Sequence, residues 1–322
     1  MGMDSFAGKL AVVTGGGPGM GRELVRQRAA RGCSLATCDL NPDAVAETAA
    51  LAQADAAAGL RVTSHACDVA DEAQVLRFRD EVLRAHAADH LDLVFSNEGI
   101  GGAESFIASP RQDWERTFAI DWYGVYYCAR AFLPLLIASR EGVLVNTSSV
   151  NGLWASLGPG VPQTAYSTAK FAVRGFTEAL IEVLRTHAPH VHAAVVLPGH
   201  VGTDIIINSL RIRGLPEPGP MTHAQLEELI PARLRPEGAS SEDPRKLLID
   251  ASNGFRAHAP VTAARAAGII LDGVQAGTWR ILIGADAQLI DTFVRTNPDG
   301  AYDYDQLAKM AADTPGAQPP EQ

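Results

Sequence analysis

"VTGGGPGMGRE", residues 13–23, decides the fold. It follows the apolar run "KLAVV" (9–13) and leads into "LVRQRAARG" (24–32), whose apolar positions recur at helical spacing. The glycines permit a tight turn and close approach of backbone to a ligand. A helix opening near Gly19 aims free N–H groups and the positive end of its dipole at an anion. A glycine cluster by itself also describes an ordinary turn, so the weight falls on what surrounds it.

Next in sequence is a second strand, "SLATCDL" (34–40), with Asp39 near its end. Asp39 falls where ribose-binding acids stand, ~20 residues after the glycines. A carboxylate there accepts bonds from adenosine ribose hydroxyls and repels a 2′-phosphate, so NAD is the expected cofactor and NADP is disfavoured. Asn41 and Pro42 then form an N-cap and first-turn pair for an Ala-rich helix through about residue 57.

The alternation continues: strand "LRVTSHACDV" (60–69), helix "DEAQVLRFRDEVLRAHA" (71–87), strand "LDLVFSN" (91–97), and a long helical stretch over about 110–139. Strand "GVLVNTSS" (142–149), a Gly- and Pro-rich loop, a helix over about 164–187 and strand "HAAVVLPG" (192–199) follow. A last helix lies within 259–277, and "WRILIG" (279–284) is a last strand. Strands alternating with helices predict an α/β fold, a Rossmann-type doubly wound parallel sheet with helices on both faces.

The whole chain, 1–322, reads as one dinucleotide-binding catalytic domain, interrupted at 205–260 by a helical insertion before the last helix and strand. Within it, Thr222 and Gln225 form a capping-box pattern opening "HAQLEELIPARL" (223–234), and Asp243 with Pro244 opens "PRKLLIDASNGF" (244–255). The insertion is expected to be a substrate lid. The Pro-rich stretch "AADTPGAQPPEQ" (311–322) is expected to fray.

Bulk properties narrow the function. The 37 acidic and 27 basic residues give a formal charge of -10, with no basic stripe for a nucleic acid backbone. Cys33, Cys38, Cys67 and Cys128 are scattered without a CxxC pair, as expected of reduced core residues in a cytosolic protein. His190 and His192 stand at an i, i+2 spacing without further clustered ligands, so no metal site is expected. No signal sequence and no run of ~18 apolar residues is present, which predicts a cytoplasmic protein with no membrane partner.

"TAYSTAK" (164–170) places Tyr166 and Lys170 four apart at a helix start, on one face. A phenol titrating near 10 is a poor acid or base at neutral pH, but an adjacent ammonium stabilises its phenolate. Ser149, at the tip of "VLVNTSS", supplies a neutral hydroxyl able to hold a substrate oxygen.

These marks together resemble the short-chain dehydrogenase/reductase family: "TGGGPGMG" for its T-G-x-x-x-G-x-G turn, "CDV", "SNEG" for N-N-A-G, "NTSS", "YSTAK" and "PGHVGT", in order over residues 8–204. The resemblance implies that Tyr166 is the catalytic acid/base, that Lys170 binds the nicotinamide ribose and lowers the Tyr166 pKa, and that Ser149 binds the reacting carbonyl or alcohol. It implies a cofactor-binding set of Gly15, Gly17, Gly19, Met20 and Gly21, Asp39 and Leu40, Asp68 (at the adenine) and Val69. Asn97, Glu98 and Gly99 would run along the cofactor by their backbone, and Pro198, Gly199, Val201 and Thr203 complete the set, with Thr203 at the nicotinamide end. A homo-oligomer, dimer or tetramer, is also implied.

The chain departs from the family pattern at four places. Asp121 stands where the family has the asparagine of a proton relay, so a catalytic part for its side chain is left open. Glu98 replaces a usual alanine and is expected to point to solvent or to crowd the cofactor weakly. The loop from 150 to 165 is longer than usual, and Leu197 replaces a common asparagine. Leu153, Trp154, Ile205, Ile206 and Ile207 are candidate walls of a hydrophobic substrate pocket, or else core and lid packing. The expected activity is NAD-linked hydride transfer on a secondary alcohol or ketone. The alternatives are a non-redox isomerase or lyase with a retained cofactor, and an NAD-binding protein without turnover.

Overall fold

The computed structural model describes residues 3–102, 105–156, 158, 161, 163–213, 222 and 244–312. Seven strands form one parallel sheet: β1 (Leu10–Thr14), β2 (Ser34–Asp39), β3 (Val62–Ala66), β4 (Leu93–Ser96), β5 (Gly142–Thr147), β6 (Val191–Pro198) and β9 (Arg280–Ile283). Their order across the sheet is β3-β2-β1-β4-β5-β6-β9. The chain winds outward in both directions from β1 and β4, so a crevice opens at their carboxyl ends, where ligands of such sheets bind.

Central strands covered on both faces read as continuous apolar runs, and every residue of β4 and β5 is buried. Alternate residues serve two cores. Val13, Phe95 and Val145 face α1 (Gly19–Ala30) and α9 (Ala263–Gln275), whereas Val12, Val94 and Leu144 face α3 (Glu72–His86), α5 (Gly124–Ile137) and α6 (Thr164–His187). The helix α2 (Pro42–Asp55) packs on α1 and starts as expected, with the Asn41 side chain accepting from the N–H groups of Asp43 and Ala44.

The helical stretch expected over about 110–139 runs without a break over 111–137 but changes type along its length. α4 (Arg111–Phe118) passes into a π-helical turn, Ala119–Tyr123, before α5 begins. Such turns re-aim side chains within a helix, and this one carries Asp121, which is fully buried.

After β6, the short strand β7 (Val201–Gly202) pairs in parallel with β8 (Val261–Thr262), joining the two ends of the expected insertion. Helix α7 (Ile205–Ile212) lies inside it, and α8 (Pro244–Ala257) matches the expected second helix. The helix expected at 223–234 lies outside the described residues. Ile206 and Ile207 pack against Leu210 and Leu248, joining α7 to α8.

Two helices beyond the last strand were not anticipated: α10 (Ala285–Thr296) and α11 (Tyr304–Ala312). α11 takes in Ala311 and Ala312 of the stretch expected to fray, and 313–322 lie outside the described residues. These helices cover the loop after β5. Trp154 stacks on Tyr302 and meets Tyr304 edge-on, and the Tyr304 hydroxyl lies 2.8 Å from Ser156 Oγ. Leu153 and Trp154 therefore take the core-packing alternative, being 5% and 2% exposed.

Candidate active site

The glycine loop is built on positions that reject a side chain. Gly15 and Gly19 adopt φ of 65° and 63°, in the left-handed region. A Cβ on Gly21 would lie 1.8 Å from the Gly15 carbonyl oxygen, so α1 can begin this close to β1 only with glycine there. No side chain caps the start of α1 and no acid stands in its first turn, which leaves its first N–H groups directed at the crevice. Met20 leans instead into the core.

Asp39 closes the other side of the loop. Its Oδ2 accepts the Gly17 N–H at 3.0 Å and its Oδ1 accepts the Asn41 N–H at 2.9 Å. Burial raises its pKa, against the backbone bonds that lower it. Each oxygen retains a further lone pair. Arg22, which reaches the same loop, is engaged by the Gly17 carbonyl, Thr48 and Glu47. Leu40 is largely exposed beside Asp39.

Asp68 pairs with Arg116 of α4 at 2.8 Å and accepts the Ala70 N–H, a partnership that no local sequence pattern announces. Val69 turns its side chain into the core toward Gly124. On the opposite lip, Pro198 ends β6, and the Gly199 N–H donates to Ile283 O. Asp286 of α10 accepts the His200 N–H at 2.6 Å. Val201 is locked in the β7–β8 pair, and Thr203 reaches across to Gly19, where a Cβ would lie 3.3 Å from its methyl group. Sequence reasoning missed Asp286 and also Ser209 of α7, whose Oγ accepts the Gly101 N–H at 2.8 Å and so ties the insertion to the loop after β4.

Glu98 corrects an expectation. It does not point to solvent: its carboxyl turns beneath the glycine loop, where Oε1 accepts the Gly15 N–H at 2.5 Å and lies 3.9 Å from Cys38 Sγ. Burial lifts its pKa well above the ordinary glutamate value; a bond from Thr14 opposes this, and Asp39 and Cys67 add to it. A carboxyl raised in this way contributes stability that is complete below the unfolded value, about 4.3, and is lost as pH rises toward the folded value. Glu98→Gln keeps an oxygen for Gly15 and cannot ionise. Its thermal midpoint should exceed that of the wild type at pH 7 and match it at pH 4; the same offset at both pH values would refute the burial of an ionisable group here.

The four candidate catalytic residues converge. Ser149, 6% exposed, opens a 3₁₀ turn in which its Oγ accepts the Asn151 N–H, and its hydroxyl acts to lower the Tyr166 pKa. Lys170 Nζ sits 5.4 Å from the Tyr166 ring centroid, donates to Thr147 O at 3.2 Å and pairs with Asp121 Oδ1 at 2.9 Å. Gly99 makes room for that pair: a Cβ there would stand 2.9 Å from Asp121 Oδ1 and 3.0 Å from Lys170 Nζ.

The Tyr166 pKa is set by opposing influences, with Lys170 acting in the expected direction. Burial is the largest influence and raises it; Lys170 and Ser149 pull it down, Asp121 pushes it up, and the net direction is above the ordinary phenol value. Lys170 is itself raised: burial works against its charge, but Asp121 outweighs that with help from Tyr166 and Glu98.

A family profile described as short chain dehydrogenase matches residues 9–211, the stretch that carries both the glycine loop and the Ser149–Tyr166–Lys170 cluster. The chain belongs to the short-chain dehydrogenase family. It is 35% identical over 293 residues to "Putative oxidoreductase SadH" of Mycobacterium tuberculosis, covering 91% of this chain and 92% of that one. A crystal structure of a short-chain dehydrogenase/reductase from Burkholderia phymatum in complex with NAD superposes with a TM-score of 0.74 at 26% identity, over 92% of this chain and 96% of that chain. A metagenomic short-chain oxidoreductase in complex with NADP superposes with a TM-score of 0.52 at 28% identity, over 60% and 83% of the two chains. Among the described residues of this short-chain dehydrogenase, no helix is long and apolar enough to cross a membrane. No group of three or more His, Cys, Asp or Glu among them is gathered to hold a metal ion.

Proposed function

We propose that the chain is an NAD-dependent oxidoreductase acting on a hydrophobic secondary alcohol or its ketone. The observation that carries this reading is the meeting of Ser149, Tyr166 and Lys170 at the carboxyl edge of the sheet, across the crevice from an uncapped glycine loop. The residues present fit a dinucleotide. The loop rejects side chains at Gly15 and Gly21, α1 offers free N–H groups, and Asn97 Oδ1 is buried with no hydrogen-bond partner among the described residues. Gly15 to Gly21 would hold the pyrophosphate, Asp39 the adenosine ribose, Asp68 and Val69 the adenine, and Lys170 with the 198–203 loop the nicotinamide end.

When bound, the nicotinamide supplies or accepts the hydride. The protein does the rest. The Ser149 hydroxyl orients the substrate oxygen, and Tyr166 takes its proton in oxidation or returns one in reduction. Lys170 holds its charge beside the phenol, and helix α6 fixes all its own members on one face. A hydrophobic substrate suits the half-buried Ile205, Ile206 and Ile207 of α7, which Ser209 draws toward Gly101. A homo-oligomer belongs to the same reading, since Tyr123 and Phe171 are 42% and 40% exposed.

Asp39 gives the test. A panel of secondary alcohols should produce a rise in reduced-nicotinamide absorbance with NAD, and catalytic efficiency with NADP should be lower by well over tenfold, because a 2′-phosphate beside this carboxylate costs more than ~1.4 kcal/mol. Asp39→Ala should narrow the gap. Equal efficiency with both cofactors would sink the NAD assignment, and turnover without net absorbance change would point to isomerase or lyase chemistry.

A further inference from the structure

Two glycines at the carboxyl edge lack room for a side chain because a carboxylate fills the space. A Cβ on Gly199, in the lip after β6, would lie 2.2 Å from both oxygens of Asp286, and a Cβ on Gly284, just after β9, would lie 2.2 Å from Asp286 Oδ1. Asp286 stands in the first turn of α10, where the helix dipole favours an acid. Its Oδ2 accepts the His200 N–H at 2.6 Å, the short contact of a charge-assisted bond. The end of β6, the end of β9 and the start of α10 are thus pinned at one carboxylate.

The other oxygen is not so engaged. Asp286 Oδ1 is buried with no hydrogen-bond partner among the described residues, and a buried acceptor left unpaired costs stability. A carboxylate kept in that state needs a reason other than stability. The lip it holds supplies one. From Gly199 and His200 the chain passes through Val201 and Gly202, paired with Val261 and Thr262, to Thr203 beside Gly19 of the glycine loop. The His200 ring is fastened separately, its Nε2 donating to the Phe255 carbonyl of α8 at 2.6 Å. Asp286 therefore acts on the backbone of the lip.

Resting on the function proposed above, we propose that Asp286 is a positioning residue for the nicotinamide: by binding the His200 N–H and filling the space beside Gly199, it fixes the lip that takes the ring end of the cofactor. It touches no reacting atom. Its loss should be felt at the nicotinamide end and not at the pyrophosphate or the adenosine, which other elements hold.

ADP-ribose separates the two ends, being NAD without its nicotinamide. Calorimetry should show the wild type binding NAD more tightly than ADP-ribose. Asp286→Ala should weaken NAD about tenfold, as for one lost hydrogen bond to a charged group, and leave ADP-ribose within about twofold. Asp286→Asn keeps an acceptor for the His200 N–H and should recover most of the NAD affinity. Equal losses for both ligands, no loss for NAD, or an Asn variant as weak as the Ala variant would each overturn the inference and leave the proposed function standing. A wild type that holds NAD no more tightly than ADP-ribose would do the same, and one that binds neither would overturn both.

Hydrogen exchange on the wild type decides the matter if Asp286→Ala does not fold. NAD should slow exchange in peptides spanning 198–203 and 284–290 together, because the two segments share the carboxylate, and ADP-ribose should slow neither. Protection of the lip without the start of α10, protection of neither by NAD, or equal protection by ADP-ribose would overturn the assignment.

Discussion

Tyr166→Phe should reduce turnover at least ~100-fold in both directions while NAD binding stays nearly unchanged, the pattern of a lost general acid/base. The substitution deletes one oxygen and nothing else. The half-buried ring keeps its place on α6, Lys170 keeps Asp121 and the Thr147 carbonyl, and the glycine loop, on the other side of the crevice, is untouched. A general decrease in NAD affinity would show instead that the hydroxyl is structural. Near-normal turnover would remove Tyr166 from the chemistry and leave the proposed mechanism without a proton donor.

Lys170→Met should have the largest effect on the fold. Removing one partner of a buried ion pair leaves the other desolvated and uncompensated, a loss of about 3–5 kcal/mol, and here the partner, Asp121, is fully buried. The double variant Asp121→Asn/Lys170→Met should recover most of that stability, measured by chemical denaturation, without recovering cofactor affinity or turnover. That division separates two roles of one side chain: its ion pair is needed for stability only because Asp121 is present, whereas its ammonium is needed at the site in every background. If the single and double variants are equally unstable, the pair does not account for the loss.

The doubly wound parallel sheet and the glycine loop were legible in the sequence because both show in local patterns, the alternation of strands with helices and a contiguous strand–glycine–helix run. Strand β1, its glycines and α1 are contiguous, and Asp39 follows at the end of the next strand. Tyr166 and Lys170 were legible for the same reason, lying one helical turn apart. Glu98 was misread because its fate depends on a neighbour far along the chain: whether a carboxyl points out or in is decided by the Gly15 N–H across the loop and by space beside Cys38. The net direction of the Tyr166 titration was not legible for a related reason: Lys170 lowers it as the spacing implies, but burial, the largest influence, and Asp121, brought by a π-helical turn forty-five residues earlier, both raise it. Trp154 was left open between pocket wall and core packing because the helices that bury it come after residue 284, beyond what the strand and helix alternation could anticipate.

The two-residue pairing of β7 with β8 bears on how such a protein can diversify. Val201 meets Val261 and Gly202 meets Thr262, so the two ends of the intervening chain lie side by side. Once its ends are fastened, the length of a closed segment matters little: each doubling adds only about 0.6 kcal/mol of closure entropy. A lineage can therefore lengthen, shorten or exchange 203–260 with almost no debt to the sheet, while the 198–203 lip stays in register through Asp286. On the function proposed above, substrate range would be to that extent a detachable trait, separable from the cofactor half of the molecule.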